Sequence, residues 1–348
     1  MRLGETSMIT QKDIAQRLGV SASLVSRALG GTASGIGASA VTIERIRAEA
    51  ARLNYHPSAA ALSLRGTSTR TIGVVIKNFD DPFFGHIIAE LQALASAKNF
   101  SLILTGCPPG PEARVDIHSL TKYRLDGLII AGSDFAPEGL ESFVSRGIKV
   151  VRIGFGSTVP GITNVTVDLE YGLRQLVDYL AKLGHRDIGY IGDATAPNLR
   201  REQILMAALQ SADLFARPNC FIRAQSSGVD AGYEAMQTLL KRAKDLLPTA
   251  VIAAEDVLAQ TALRALFERR VRVPQDLTLV GVDDVPSARM TIPALTTLRL
   301  PMPAMVQAAF ELLMTAADSP PHPISVKPEL VVRESSAPPH PTVGKTDE

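Results

Sequence analysis

Tryptophan is absent from these 348 residues, cysteine occurs twice, and aromatic side chains make up only 5% of the chain. Each shortage removes a class of explanation. Cys107 and Cys220 stand far apart and belong to no Cys-x-x-Cys pair, so neither a disulfide framework nor a zinc site can be built on them. No apolar run approaches the ~18 residues of a membrane span, and the polar opening Met1–Ser7 holds no secretory core. A cytoplasmic location without membrane association is expected. Asn164-Val165-Thr166 matches a glycosylation acceptor, which has no meaning without export.

Catalytic motifs are missing as well. The first apolar run ends in Lys77-Asn78-Phe79-Asp80-Asp81-Pro82 with no G-x-G-x-x-G, and neither a nucleophile elbow nor zinc-ligand spacing occurs. Gly30 and Gly35 have the spacing of a phosphate loop, but Ile36-Gly37 follows where Lys and Ser/Thr are required. An α/β enzyme is therefore set aside, and no catalytic residue, metal or cofactor is expected. Net charge is only +1, yet its distribution is uneven. Residues 1–70 hold nine basic against four acidic residues, and the remainder 27 against 31. A basic amino-terminal segment is the electrostatic footprint of a nucleic-acid reader, although a solvated face gives the same count.

What is present is an ordinary soluble composition, 46% hydrophobic and 20% charged, in a chain long enough for about two to three domains. Residues 9–29 read as a helix-turn-helix. Thr10 and Asp13 form a helix-start signal, Ile14 and Leu18 share a face, and Gly19 supplies the positive φ of a tight turn. Ser21 caps a second helix, in which Leu24, Val25, Ala28 and Leu29 face the first and Ala22, Ser23, Ser26 and Arg27 point outward, where small and polar groups can enter a major groove. After a glycine-rich loop, Ser39 caps a third helix over 40–53 with Ile43, Ile46, Ala50 and Leu53 at core spacing. A short helix-prone linker, Pro57 to Arg65, ends at Gly66.

From Thr71 onward, apolar β-rich runs alternate with helical patterns: 71–76, 101–105, 127–131, 149–153, then 187–191, 220–223, 250–253 and 278–282. That alternation predicts parallel sheets covered by helices, in two doubly wound subdomains joined around 167–183 with a cleft between them. Residues 302–316 read as an amphipathic helix, 319–323 as a turn-rich connector, and 337–348 as a disordered tail without heptads, so no terminal coiled coil is expected. In open parallel sheets ligands bind beyond the carboxyl ends of strands, which points to Asn78, Phe83, Phe84, the segment from Ser133 to Phe135, Phe155 and Asp283.

The order of these parts resembles the LacI/GalR family of bacterial transcriptional repressors. The residues that carry the resemblance are Asp13-Ile14-Ala15, Gly19-Val20-Ser21, Val25-Ser26-Arg27, Leu53-Asn54-Tyr55, Pro57, then Ala61, Ser63, Leu64 and Arg65. It continues through Thr71-Ile72-Gly73-Val74-Val75, Leu183-Gly184-His185-Arg186 and Gly281-Val282-Asp283-Asp284 to Val332-Arg333-Glu334-Ser335, nearly the whole chain. The resemblance implies an α/β protein with an all-α helix-turn-helix headpiece (8–57), a hinge helix and linker (58–70), and an effector-binding and dimerisation domain (71–336) of the periplasmic-binding-protein type. It implies a ligand-controlled repressor that binds palindromic operator DNA as a homodimer, with a sugar or related metabolite in the cleft. A solute-binding protein of the same core is the alternative, opposed by the first 65 residues.

By the same resemblance, Thr10, Ser21, Ala22, Ser23, Ser26 and Arg27 approach DNA from the headpiece. Ser58, Ala61 and Leu64 approach it from the hinge, with Leu64 as a minor-groove wedge. Arg201 and Asp283 match positions that hold the effector through charge-assisted hydrogen bonds. The sequence also departs from the family pattern: the loop after the second helix is about three residues longer than usual, Leu62 stands where Arg is frequent, and Ile204-Leu205 replaces Gly-Phe. Most consequential is Glu255-Asp256 in place of Asn-Asp. An acceptor-only carboxylate at 255 favours a ligand rich in hydroxyls or carrying a cation over an anionic one.

Overall fold

Thr10 opens the first helix. Its hydroxyl accepts from the Asp13 N–H, and the Asp13 carboxylate accepts the Thr10 N–H at 2.7 Å, closing a capping box. The helix, α1 (Gln11–Leu18), stops at Gly19, whose φ of 66° needs no Cβ. Helix α2 (Ala22–Leu29) begins after Ser21, whose hydroxyl accepts from the Leu24 N–H, and α3 (Ala40–Arg52) is capped by Ser39. These helices enclose a small core of Ile14, Ala15, Val25, Ala28, Ile46 and Ala50. Ser23 and Arg27 are exposed, as the helical spacing requires, whereas Ser26, also expected to point outward, is half-buried. Ala22, expected to point outward, is half-buried and packs on the edge of that core.

These features belong to a computed structural model that describes residues 9–29, 38–55, 68–106, 117–133, 139–155, 160–214, 216–243, 246–315 and 323–340. The chain divides into two compact units, Met1–Thr69 and Arg70–Glu348. Ser58, Ala61 and Leu64 of the expected hinge lie outside the described residues, as do Cys107 and most of the expected connector at 319–323. Among the described residues no helix is long and apolar enough to cross a membrane.

The second unit holds two six-stranded sheets. Apolar strands β1 (Thr71–Ile76), β3 (Gly127–Ala131) and β4 (Val150–Ile153) are almost wholly buried, as strands covered on both faces must be. With β2 (Ser101–Gly106), β5 (Ile162–Val167) and β11 (Ile324–Val326) they form an all-parallel sheet in the order β11-β5-β4-β3-β1-β2. The second sheet repeats the plan as β12-β10-β9-β8-β6-β7, from β6 (Ile188–Asp193), β7 (Phe221–Ala224), β8 (Ala250–Ala253), β9 (Thr278–Asp283), β10 (Thr296–Arg299) and the antiparallel edge β12 (Glu329–Val331).

Eight of these strands coincide with the runs read in the sequence, within two residues at either end. The connection between the lobes differs from the expectation of a single join around 167–183. Residues 169–183 form a packed helix, α6 (Leu169–Leu183), that lies on the second lobe against β10 and β12. The chain then returns: α10 (Met302–Met314), following β10, packs on the first lobe against α4 (Pro82–Ala97) and β4, and β11 joins the first sheet before β12 rejoins the second. Each lobe therefore borrows a helix that follows the other lobe's strands, and three crossings instead of one link them. Ala337, expected to begin a disordered tail, is held in place: its carbonyl accepts from His185 Nε2 at 2.9 Å and from the Thr278 hydroxyl at 3.0 Å, and residues 341–348 of that expected tail lie outside the described residues.

Candidate functional site

In both sheets the strand order reverses beside the first strand of the lobe, β1 in one and β6 in the other, and the segments leaving the carboxyl ends there border a common cavity. Its volume is about 210 Å³, the scale of one small metabolite. All eight residues expected at a ligand site, Asn78, Phe83, Phe84, Ser133, Phe155, Arg201, Glu255 and Asp283, line it. Asp134 and Phe135 lie outside the described residues.

Local structure explains how the first lobe presents its share. Asp81 is the N-cap of α4, its carboxylate accepting the Phe83 N–H at 2.9 Å, and Pro82 sets the first helical residue. Phe83 and Phe84 follow as an edge-to-face pair, 5.2 Å between ring centres. After β4, Gly154 turns with φ of 134°; a Cβ there would meet the Ser133 hydroxyl at 3.1 Å. That hydroxyl accepts the Phe155 N–H at 2.9 Å and so fixes the start of the Phe155 loop.

The second lobe contributes charge. Helices α7 (Ala196–Ser211) and α9 (Asp256–Glu268) start at the carboxyl ends of β6 and β8, which brings Arg201 and Glu255 together. The Arg201 guanidinium donates to Glu255 and to Asn198, each at 2.8 Å, and meets Asp283 at 3.4 Å. Arg201 and Asp283 side chains are only 11% and 4% exposed, so this is a buried ionic group and not a surface pair. Burial pushes the Glu255 and Asp283 carboxyls above the usual carboxylate range, and Arg201 holds them partly down. For Arg201 itself, burial opposes the charge, while Asp283 and Glu255 outweigh it and leave the guanidinium more firmly protonated than usual.

Behind this group sits a second acid with another task. Asp256 is fully buried, accepting the Thr297 hydroxyl at 2.6 Å and the Val285 N–H at 2.9 Å, and burial pushes it up to about 7. It holds the β9–β10 region in place beneath Asp283. Asp284 pairs with Arg299 and Arg333 and is likewise structural. Asp283 and Asp284 both adopt positive φ, 118° and 56°, so the chain turns sharply just where Asp283 reaches the cavity.

Sequence reasoning did not assign Lys77, Asp81, Asp193 and Thr195 to the site, although they line the same cavity. The strand-end rule contains the signal for two of them. Asp193 ends β6, and one of its oxygens takes the Thr195 N–H, the Thr195 hydroxyl and the Asn198 amide; Asp81 precedes a proline in the helix-start pattern after β1. Leu300, also in the wall, follows β10, a strand absent from the sequence reading, and Met305 lies on α10, a helix read in the sequence without its return to the first lobe.

On the headpiece, Thr10, Ser21, Ala22, Ser23, Ser26 and Arg27 cluster at the amino ends of α1 and α2 and along α2. Thr10 and Ser21 are engaged in capping, which leaves their backbone positions at helix amino termini, where N–H groups suit phosphate oxygens.

Three comparisons place the chain among known proteins. A periplasmic binding protein-like domain matches residues 177–336. The lac repressor dimer bound to operator and the anti-inducer ONPF superposes with a TM-score of 0.80 at 25% identity, over 95% of this chain and 100% of that one. The HTH-type transcriptional repressor PurR of Pectobacterium carotovorum is 32% identical over 329 residues, 92% of this chain and 95% of its own. The chain belongs to the LacI family of transcriptional regulators. A further structure similar to this LacI-family chain is the transcriptional regulator CelR–cellobiose complex, with 26% identity, 94% and 100% coverage and a TM-score of 0.66.

Proposed function

We propose that this LacI-family chain is a repressor that binds a palindromic operator as a homodimer in the cytoplasm, its grip set by a small metabolite, a sugar or a related compound, in the cavity between the lobes. It regulates and does not catalyse. The observation that carries the reading is the pairing in one chain of a helix-turn-helix with Ser23 and Arg27 exposed on its second helix and a two-lobed cavity lined from both sheets. Both halves lie within the alignment to a named repressor.

In this reading phosphate contacts supply most of the affinity and its salt dependence, with Thr10 and Ser21 near the backbone. Ala22, Ser23 and Arg27 meet base edges, Ser26 sits beside them, and Ser58, Ala61 and Leu64 form the hinge. Ala22 and Ser23 are short, so direct readout falls mainly on Arg27, with DNA shape and the Leu64 wedge adding the rest. Ligand binding acts through the lobes. A ligand that favours one angle between them shifts the population toward it. One contact that such a movement must keep or break is the Arg200 guanidinium of α7, 4.3 Å above the Phe155 ring of the opposite lobe.

The test is selection of bound duplexes from a random pool by the full chain. A two-fold symmetric sequence is expected to emerge. Arg27→Ala should then weaken binding to it roughly 5- to 150-fold and relax preference at one base pair in each half-site. Equal affinity for all duplexes, or an unchanged selected sequence in the variant, contradicts the reading.

A further inference from the structure

Carboxyl groups outnumber cations in the cavity. Its charged lining consists of Asp81, Asp193, Glu255 and Asp283 against Lys77 and Arg201. Arg201, the deeply buried cation, is already engaged through its two Nη atoms by Glu255, Asn198 and Asp283, and its buried Nε alone lacks an acceptor among the described residues. A ligand carboxylate or phosphate could reach only that Nε without displacing protein acceptors, and it would meet four carboxyl groups against two cations.

The carboxylates, in contrast, have acceptor positions to spare. Glu255 and Asp283 each commit one oxygen to Arg201, and Asp81 commits one to the Phe83 N–H. The second oxygen of each accepts no hydrogen bond from a described residue. Among them the Asp283 side chain is the least exposed, at only 4%. Hydroxyl donors on a neutral ligand could bond these oxygens, but only a cation would also let the buried carboxyls ionise.

We propose that the ligand of this cavity carries a protonated nitrogen, an ammonium or a comparable cation, seated against Glu255, Asp283 and Asp81, with the rest of the molecule against Phe83 and Phe155. The inference rests on the reading of the cavity as the effector site and narrows it to amine-bearing metabolites, amino sugars among them. It gives the glutamate at 255 a purpose: carboxylate in place of amide adds the charge that an incoming cation needs. Because burial holds Glu255, Asp283 and Asp81 toward their protonated forms, arrival of a cation should expel protons.

The experiment is calorimetry and thermal shift on the full chain with matched sets of probes, glucosamine with glucose and glucuronate, and other amines with their alcohol and acid counterparts. In at least one set the amine should bind about tenfold or more tighter than its alcohol counterpart, with proton release measured in buffers of different ionisation heat. Glu255→Gln should reduce that preference to about threefold or less, and Asp81→Asn should reduce it too if the first variant melts early. An alcohol or an acid that binds as tightly as its amine, or amine binding without proton release, overturns the proposal and leaves the effector reading standing. Failure of every class to bind overturns both.

Discussion

Replacing Arg201 with Ala is expected to destabilise the second unit by about 3–5 kcal/mol, the usual cost of removing one partner from a buried ionic group. The variant keeps Glu255 and Asp283 side by side, desolvated and without their common cation. Both carboxyls are already held above their unfolded values by burial with Arg201 present, and its loss raises them further. The sign of the pH dependence follows. A carboxyl whose folded pKa exceeds its unfolded value contributes stability at low pH that is lost as pH rises through the folded pKa. Denaturant unfolding of Arg201→Ala should therefore show a smaller loss at pH 5 than at pH 8. Arg201→Lys should recover only part of it, since one ammonium cannot span Asn198, Glu255 and Asp283 as the guanidinium does. A uniform loss across pH, or full recovery by lysine, would contradict this account of the cavity.

Ile46→Ala should abolish operator binding while leaving the second unit intact. Ile46 is fully buried at the centre of a core of six side chains, two of them from α3. A cavity of that size costs about 2–5 kcal/mol. A domain of this length has a total stability of only roughly 2–7 kcal/mol by the usual per-residue scale, so most headpieces would be unfolded. The expected readout is a loss of operator affinity of about a hundredfold or more, with the melting of the ligand-binding unit and its affinity for small molecules unchanged. Because the chain divides at Thr69, a parallel drop in the stability of the second unit would mean that the two are not independent.

Much of this architecture is legible in the sequence, for physical reasons that also mark where legibility ends. Strands such as Gly127–Ala131 and Ala250–Ala253 are buried on both faces, so they must be unbroken apolar runs and announce themselves. Strand Thr296–Arg299 does not, because Thr296 and Thr297 are buried polar residues whose hydroxyls bond Ser336 and Asp256. The three-residue strands at 324–326 and 329–331 are too short for any periodicity, and the return of α10 to the first lobe is a matter of pairing at long range. The cavity shows the same division. Its strand-end residues could be named from position alone, as Asn78 and Asp283 were, whereas Leu300 and Met305 enter it only through the crossings. Identity of residue 255 signalled an unusual site. The engagement of both Arg201 Nη atoms by protein acceptors becomes visible only when Asn198, Glu255 and Asp283 are brought together in space.

A coupling between cavity occupancy and operator affinity is expected within one polypeptide. Its most direct test is a closed cycle: the affinity of the full chain for its selected palindrome measured with and without the cavity ligand, and the affinity for that ligand measured with and without the palindrome. Both ratios are predicted to differ from one and to equal each other, a coupling of about 5- to 150-fold in either direction. If each affinity is indifferent to the other partner, the cavity does not govern the headpiece and the account fails.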